Sequence, residues 1–172
     1  ITLKLYKIAL GKAACVFFQN NLNRQVLLDK GVLKSKSKVI PGSGVNVIQH
    51  KFEDYPPSKG NVKILFIGRL MREKGVEELI KAIKIVKPKY PTVEFHFVGG
   101  REETNNPIIE DSIKDNLIIY HGVKSQVHEY IKNSHALINP SHHEGMSNVL
   151  LEAASTGRPV LASIIPGCKE TF

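Results

Sequence analysis

The sequence predicts an α/β fold, a Rossmann-like parallel sheet with helices on both faces. Two observations carry this. From residue 62 onward, short runs that are apolar on both faces alternate with amphipathic stretches of helical length, the pattern of parallel strands covered on both sides by helices. The chain has 172 residues, 42% apolar and 23% charged, which supports one domain with a proper core and lies outside disordered, collagen-like or disulfide-scaffold compositions.

Taken in order, the first thirty or so residues read as helix, strand, helix. Leu3, Leu5, Ile8 and Leu10 lead into the apolar run from Ala14 to Phe18, and Asn20 and Asn21 open a second amphipathic stretch through Val26, Leu27 and Leu28. Val39 and Ile40 form a short strand that stops at Pro41, and Pro41-Gly42-Ser43-Gly44-Val45-Asn46 is a tight, backbone-permissive turn, the expected hinge. A polar stretch, 54–61, separates this part from a strand-helix rhythm. Strands are expected at 62–68, 93–98, 117–120, 136–139 and 159–163, with helices at 75–86, 127–132 and 147–156. In the first of these helices Val76, Leu79, Ile80, Ile83 and Val86 keep one apolar face and Pro88 stops it.

Several function classes fall away on composition. No apolar run approaches the ~20 residues of a membrane span, and no targeting segment is visible. Two distant cysteines, Cys15 and Cys168, lack partners at metal-like spacing, so a reduced, cytoplasmic setting is expected. The balance of 24 basic against 16 acidic residues gives +8, which suits an anionic partner. These charges read as spread over a solvated surface, Lys81, Lys84 and Lys87 along one helix face among them, with one local anion site.

Ligands of open parallel sheets bind beyond the carboxyl ends of the strands. After the strand ending at Gly68 come Arg69 and, at the mouth of the next helix, Lys74 and Gly75. Two cations beside free backbone N–H groups and a positive helix end suit a diphosphate, Arg as a planar fork and Lys as a point charge. After Asn139-Pro140-Ser141 the chain runs through His142-His143-Glu144-Gly145-Met146-Ser147-Asn148 into a helix carrying Glu152. Ser147 is the expected N-cap, with the amides of Gly145, Met146, Ser147 and Asn148 toward an anion. Glu152 then lies ~7–8 Å along the helix axis, at 1.5 Å per residue, while Glu144 stays in the loop. A carboxylate at each end with a helix N-terminus between them matches a ligand with hydroxyls at both ends and phosphates in the middle, as in a nucleoside diphosphate sugar.

The segment resembles the Glu-x7-Glu signature of the retaining GT-B glycosyltransferases of family 4, carried here by Glu144 and Glu152. Other marks follow in order: Val39-Ile40-Pro41-Gly42-Ser43-Gly44-Val45-Asn46, Gly68-Arg69-Leu70 with Glu73-Lys74-Gly75, Phe97-Val98-Gly99-Gly100, and Pro166-Gly167-Cys168. Within the family the likeness is to bacterial enzymes of capsule, O-antigen or lipid-linked oligosaccharide assembly, which often use a UDP-hexose or UDP-N-acetylhexosamine. The resemblance implies that Glu152 holds ribose hydroxyls. It also implies that Glu144, with Gly145, Met146, Ser147 and Asn148, holds the donor sugar, and that Arg69 and Lys74 neutralise the departing diphosphate. Gly44 joins the donor-binding set, and the base lies against Gly122, Val123 and Lys124. The implied chemistry uses no metal and no cofactor, the nucleotide-sugar being a substrate. Residues 1–40 would then be a remnant of an acceptor domain plus hinge, and 41–172 a donor-binding domain truncated at its C-terminus. Such a fragment is expected to bind nucleotide without appreciable transfer. Its setting would be cytoplasmic, with peripheral association at the inner membrane face expected from the basic balance and lipid-linked acceptors.

Rival readings are weaker. Gly42-Ser43-Gly44 is followed by Val45-Asn46-Val47, which does not complete the G-x-G-x-x-G of a dinucleotide site. Adjacent His142 and His143 seldom point to one zinc ion, and no Cys is near. Nucleic-acid binding would rest on net charge alone, without clustered aromatics, and is not expected. A non-catalytic nucleotide-sugar-binding module of the same fold remains the alternative from another class.

Overall fold

Among the described residues, seven short strands and six α-helices form, most of them from segments where apolar residues recur at strand or helix spacing. A computed structural model describes residues 2–57, 60–101 and 106–171. The chain divides into two units, Ile1–Gly44 with Glu144–Ser147 and Ile164–Phe172, and Val45–His143 with Asn148–Ser163.

The first unit contains α1 (Thr2–Gly11), β1 (Val16–Phe18), α2 (Asn21–Asp29) and β2 (Ser37–Val39). Strands β1 and β2 pair in parallel with Phe17 opposite Lys38, and the ladder continues as Ile40 N–H donates to Phe18 O at 2.8 Å. Asn20 caps α2 by accepting from the Asn23 amide at 2.8 Å, which satisfies one of the helix's orphan donors. Gly42 and Gly44 in the expected turn both take positive φ, 73° and 71°, a backbone region that favours glycine.

The second unit holds β3 (Val62–Ile67), α3 (Val76–Val86), β4 (Val93–Val98), α4 (Pro107–Lys114), β5 (Ile119–Tyr120), α5 (Val127–Lys132), β6 (Ala136–Asn139), α6 (Asn148–Ser155) and β7 (Val160–Ala162). Its sheet is parallel throughout, in the order β5-β4-β3-β6-β7. The chain starts in the middle, winds one way through β4 and β5, then crosses back to β6 and β7. Since parallel crossovers are right-handed, the two windings put helices on opposite faces, as the expected fold class requires. On one face Val76, Leu79, Ile80 and Ile83 of α3 and Ile109 of α4 pack onto Phe66, Phe95 and Phe97, each worth about 1.5–3 kcal/mol of burial. The Phe66 and Phe97 rings sit 5.0 Å apart.

Several elements differ from expectation: β2 spans Ser37–Val39 and not 39–40, β3 ends at Ile67, and β7 is trimmed to Val160–Ala162. Helix α3 begins at Val76, after a 3-10 turn over Arg72–Lys74 that ends at Gly75 in the left-handed region. Strand β5 keeps only two of its four expected residues, and α6 starts at Asn148, one residue after Ser147. Helix α4 lies in a segment for which the sequence predicts no element. Among the described residues no helix is long and apolar enough to cross a membrane.

Candidate functional site

The strand order reverses between β3 and β6, which makes their carboxyl ends the topological switch point where sheets of this kind bind ligands. Strand β3 delivers Gly68 and Arg69, and β6 delivers Asn139, Pro140 and Ser141. The second edge is rigid. Asn139 Oδ1 accepts from the Ser141 amide at 3.2 Å and from Ser141 Oγ at 2.6 Å, with both side chains buried. The corner at Lys74 and Gly75 is pressed against it: a Cβ at Gly75 (φ 68°) would lie 2.1 Å from Pro140 O. His142 N–H donates to Glu73 O at 2.9 Å, tying the loop after β6 to the 3-10 turn that presents Lys74. Arg69, two residues beyond the end of β3, is exposed, and Lys74, in the 3-10 turn that leads into α3, is half-buried. His142 Nε2 lies 3.4 Å from Glu78 Oε2, and Glu78 is held below the usual carboxylate range by its own backbone amide foremost and by His142. Among the described residues no cluster of three or more His, Cys, Asp or Glu has the geometry of a metal site.

The ends of β4 and β5 approach the same rim. Gly99 (φ 146°) has no room for a side chain, since its Cβ would meet Gly68 O at 1.9 Å. Its amide donates to Gly122 O at 2.9 Å, and its carbonyl accepts from Tyr120 Oη at 2.9 Å. Gly122 (φ 71°), Val123 and Lys124 follow as an open loop, with Val123 and Lys124 exposed.

Glu152 is the fifth residue of α6 and half-buried, and burial pushes its carboxyl above the ordinary range. Its partner was not legible in the sequence. The buried His50 ring places Nε2 3.9 Å from Glu152 Oε1. Burial, and secondarily His128, hold His50 below the usual histidine value. His50 carries no spacing signal, because it reaches α6 through tertiary structure.

Glu144 belongs to the first unit, with Gly145, Met146 and Ser147. There the loop is held by groups far away in sequence. Asn20 Nδ2 donates to Gly145 O at 2.8 Å and to Glu144 O at 3.5 Å, while Ser147 N–H donates to Gly167 O at 2.8 Å, so this amide, expected to face an anion, is engaged within the protein. Gly167 (φ 86°) sits so close that a Cβ would lie 2.6 Å from Glu144 O, and a Cβ at Gly42 would lie 2.6 Å from Met146 Cγ. Asn20 is thus a second residue missed at the sequence level: its Asn-Asn start reads as a helix cap and gives no hint of the 144–145 contact. Asn148 opens α6 in the other unit, and Gly44 ends the hinge turn with open space around its Cα.

Residues 61–172 match the family described as glycosyl transferases group 1. The chain is 28% identical over 180 residues to the N,N'-diacetylbacillosaminyl-diphospho-undecaprenol alpha-1,3-N-acetylgalactosaminyltransferase of Campylobacter jejuni, covering 98% of this chain and 47% of that protein. It is 29% identical over 115 residues to the capsular polysaccharide biosynthesis glycosyltransferase CapM of Staphylococcus aureus, covering 64% of this chain and 30% of CapM. The chain therefore spans less than half the length of these curated relatives. In fold it is similar to Anabaena HepE, solved in complex with UDP and glucose, with a TM-score of 0.80 at 19% identity over 99% of this chain and 51% of HepE.

Proposed function

The chain belongs to the glycosyl transferases group 1 family, and on that premise we propose that it supplies the donor-binding part of a GT-B glycosyltransferase. The transfer moves a hexose or N-acetylhexosamine from a nucleoside diphosphate sugar, UDP foremost, to a glycan or lipid-linked acceptor with retention of anomeric configuration. The observation that carries this reading is the switch point between β3 and β6, with Arg69 in the segment that follows β3 and Lys74 in the turn that precedes α3. A diphosphate there gains charge-assisted hydrogen bonds and the positive end of a helix.

In this scheme the bond between the anomeric carbon and the diphosphate oxygen breaks while the acceptor oxygen forms its bond on the same face. The acceptor proton passes to the leaving phosphate. Catalysis is then chiefly stabilisation of the charge that develops on the diphosphate, the task of Arg69 and Lys74. Glu152 receives the ribose hydroxyls, and Glu144 with Gly145, Met146 and Ser147 receives the sugar. Gly122, Val123 and Lys124 receive the base.

The reading extends to the cytoplasmic face of a membrane, where lipid-linked acceptors reside. Residues 1–44 contain eight Lys and Arg and one Asp, and such basic segments are attracted to anionic lipid. Sedimentation with anionic vesicles at low salt tests this, and a protein that stays in the supernatant contradicts it.

Titration of the full-length protein with UDP-, GDP- and ADP-sugars, with hydrolysis and transfer monitored, tests the main proposal. A UDP-hexose or UDP-N-acetylhexosamine is expected to bind and be turned over. Binding without any transfer would favour a non-catalytic nucleotide-sugar module, and no binding of any donor overturns both.

A further inference from the structure

The segment from Asn46 to Asp54 is a strap tied across the end of α6. Asn46 closes a turn in which its side-chain oxygen accepts from the amides of Ile48 and Gln49, and its carbonyl accepts from His50 N–H at 2.8 Å. The His50 carbonyl in turn accepts from Ser155 Oγ on α6 at 2.5 Å, and Glu53 N–H donates to Thr156 O at 3.3 Å. Phe52 lies against Gly157, where a Cβ would come within 2.6 Å of its ring. The backbone is thus fixed on both sides of His50, and its ring is aimed before any ligand arrives.

That ring is 4% exposed, and its Nδ1 has no hydrogen-bond partner. Here Nε2 faces Glu152 Oε1 at 3.9 Å. His128 stands edge-on to the ring at 5.4 Å, backed by Glu53 at 3.4 Å from His128 Nε2. The 3.9 Å gap is longer than a hydrogen bond and closes by rotation of the Glu152 side chain, since such contacts tighten when the ligand binds.

We propose that His50 is the positioning residue for Glu152: its Nε2–H fixes one carboxylate oxygen, so that the other is presented to vicinal hydroxyls of the ligand. This rests on the reading that Glu152 receives the ribose of a nucleotide. A hydrogen bond to a charged group, lost at the ligand's carboxylate, corresponds to roughly a tenfold change in affinity.

The test is calorimetric titration of the protein with UDP and with 2′,3′-dideoxyuridine diphosphate, for the wild type, His50→Phe and His50→Gln, with thermal melts confirming that each variant is folded. The wild type is expected to prefer UDP. His50→Phe should bind UDP about tenfold more weakly and the dideoxy nucleotide unchanged, while His50→Gln, whose amide still donates, recovers most of the UDP affinity. Should His50→Phe not fold, His50→Asn, too short to reach the carboxylate, replaces it with the same expectation. Unchanged UDP binding in His50→Phe overturns the inference, as does an equal loss for both nucleotides. A wild type that fails to distinguish the two nucleotides removes the ribose role of Glu152 itself, and that failure is visible before any variant is made.

Discussion

Gly75 offers a worked prediction because two independent penalties meet there. Its φ of 68° lies in the left-handed region, which costs a residue with a Cβ about 1–2 kcal/mol. An added Cβ would also stand 2.1 Å from the carbonyl oxygen of Pro140 and 2.8 Å from its carbon. That contact is backbone on backbone and cannot be relieved by a rotamer change, so forced displacement adds about 1–3 kcal/mol. Gly75→Ala is therefore expected to destabilise the protein by about 2–5 kcal/mol, and at about 2–4 °C per kcal/mol for this size the melting temperature should fall by about 4–20 °C. Gly122→Ala is the matched control: φ is 71°, but nothing lies within 4 Å of the new Cβ, so only the conformational cost of about 1–2 kcal/mol applies. Differential scanning calorimetry of both variants decides. If the two melt within about 2 °C of each other, the close packing of the Lys74 corner on the end of β6 is refuted.

Other expectations follow from single side chains. Arg158 is buried and donates to the carbonyls of Glu53, Asp54 and Lys132 at 3.0, 2.8 and 2.9 Å; Arg158→Met leaves these acceptors orphaned and should cost about 3–5 kcal/mol in urea unfolding. Glu152→Ala should weaken UDP itself, whereas Glu144→Ala should weaken mainly the sugar-bearing nucleotide, and equal, negligible effects in calorimetry would contradict both roles. Burial, their largest cause, holds His50, His121 and His135 below the usual histidine value. The native state thus favours their neutral forms, and the stability they contribute is present above the ordinary value of 6.5 and lost as pH falls through their folded values. The melting temperature should be level from about pH 8 to 7 and drop below about pH 6.5. His135 Nδ1 accepts from the Lys63 amide at 3.0 Å, so His135→Asn, which keeps an acceptor and removes the titration, should flatten part of that drop; an unchanged slope would count against it.

The parts of the fold that could be read in advance are those where local pattern and tertiary role coincide. Strand 136–139 is a short apolar run, strand 93–98 shows its buried side in Val93, Phe95 and Phe97 while Glu94 and His96 pair on the other, and α3 shows its buried stripe directly. Helix α4 was hidden by polarity: Asn106 caps it by accepting from the Ile108 amide, Pro107 opens it and Ile109 is buried, yet acidic and amide residues dominate the segment. Residues 102–105 of that stretch lie outside the described residues. Basic residues are spread along the chain, but acids are scarce in residues 1–44, eight basic against one acidic, so the net positive charge lies mostly there. Within the site, Arg69 and Lys74 follow from strand-end logic, because loops after parallel strands need no long-range information to be placed. His50 and Asn20 do not, since each acts on a backbone or carboxylate more than 100 residues away, a distance over which periodicity and spacing carry nothing.

The central claim is that a nucleoside diphosphate binds where the strand order reverses. A crystal structure of the protein with UDP tests it most directly. The diphosphate should lie at the ends of β3 and β6, within hydrogen-bonding reach of Arg69 or Lys74, with the ribose at Glu152. Nucleotide found elsewhere, for instance in the cavity of about 350 Å³ lined by His96, His121 and Tyr130, would contradict the account.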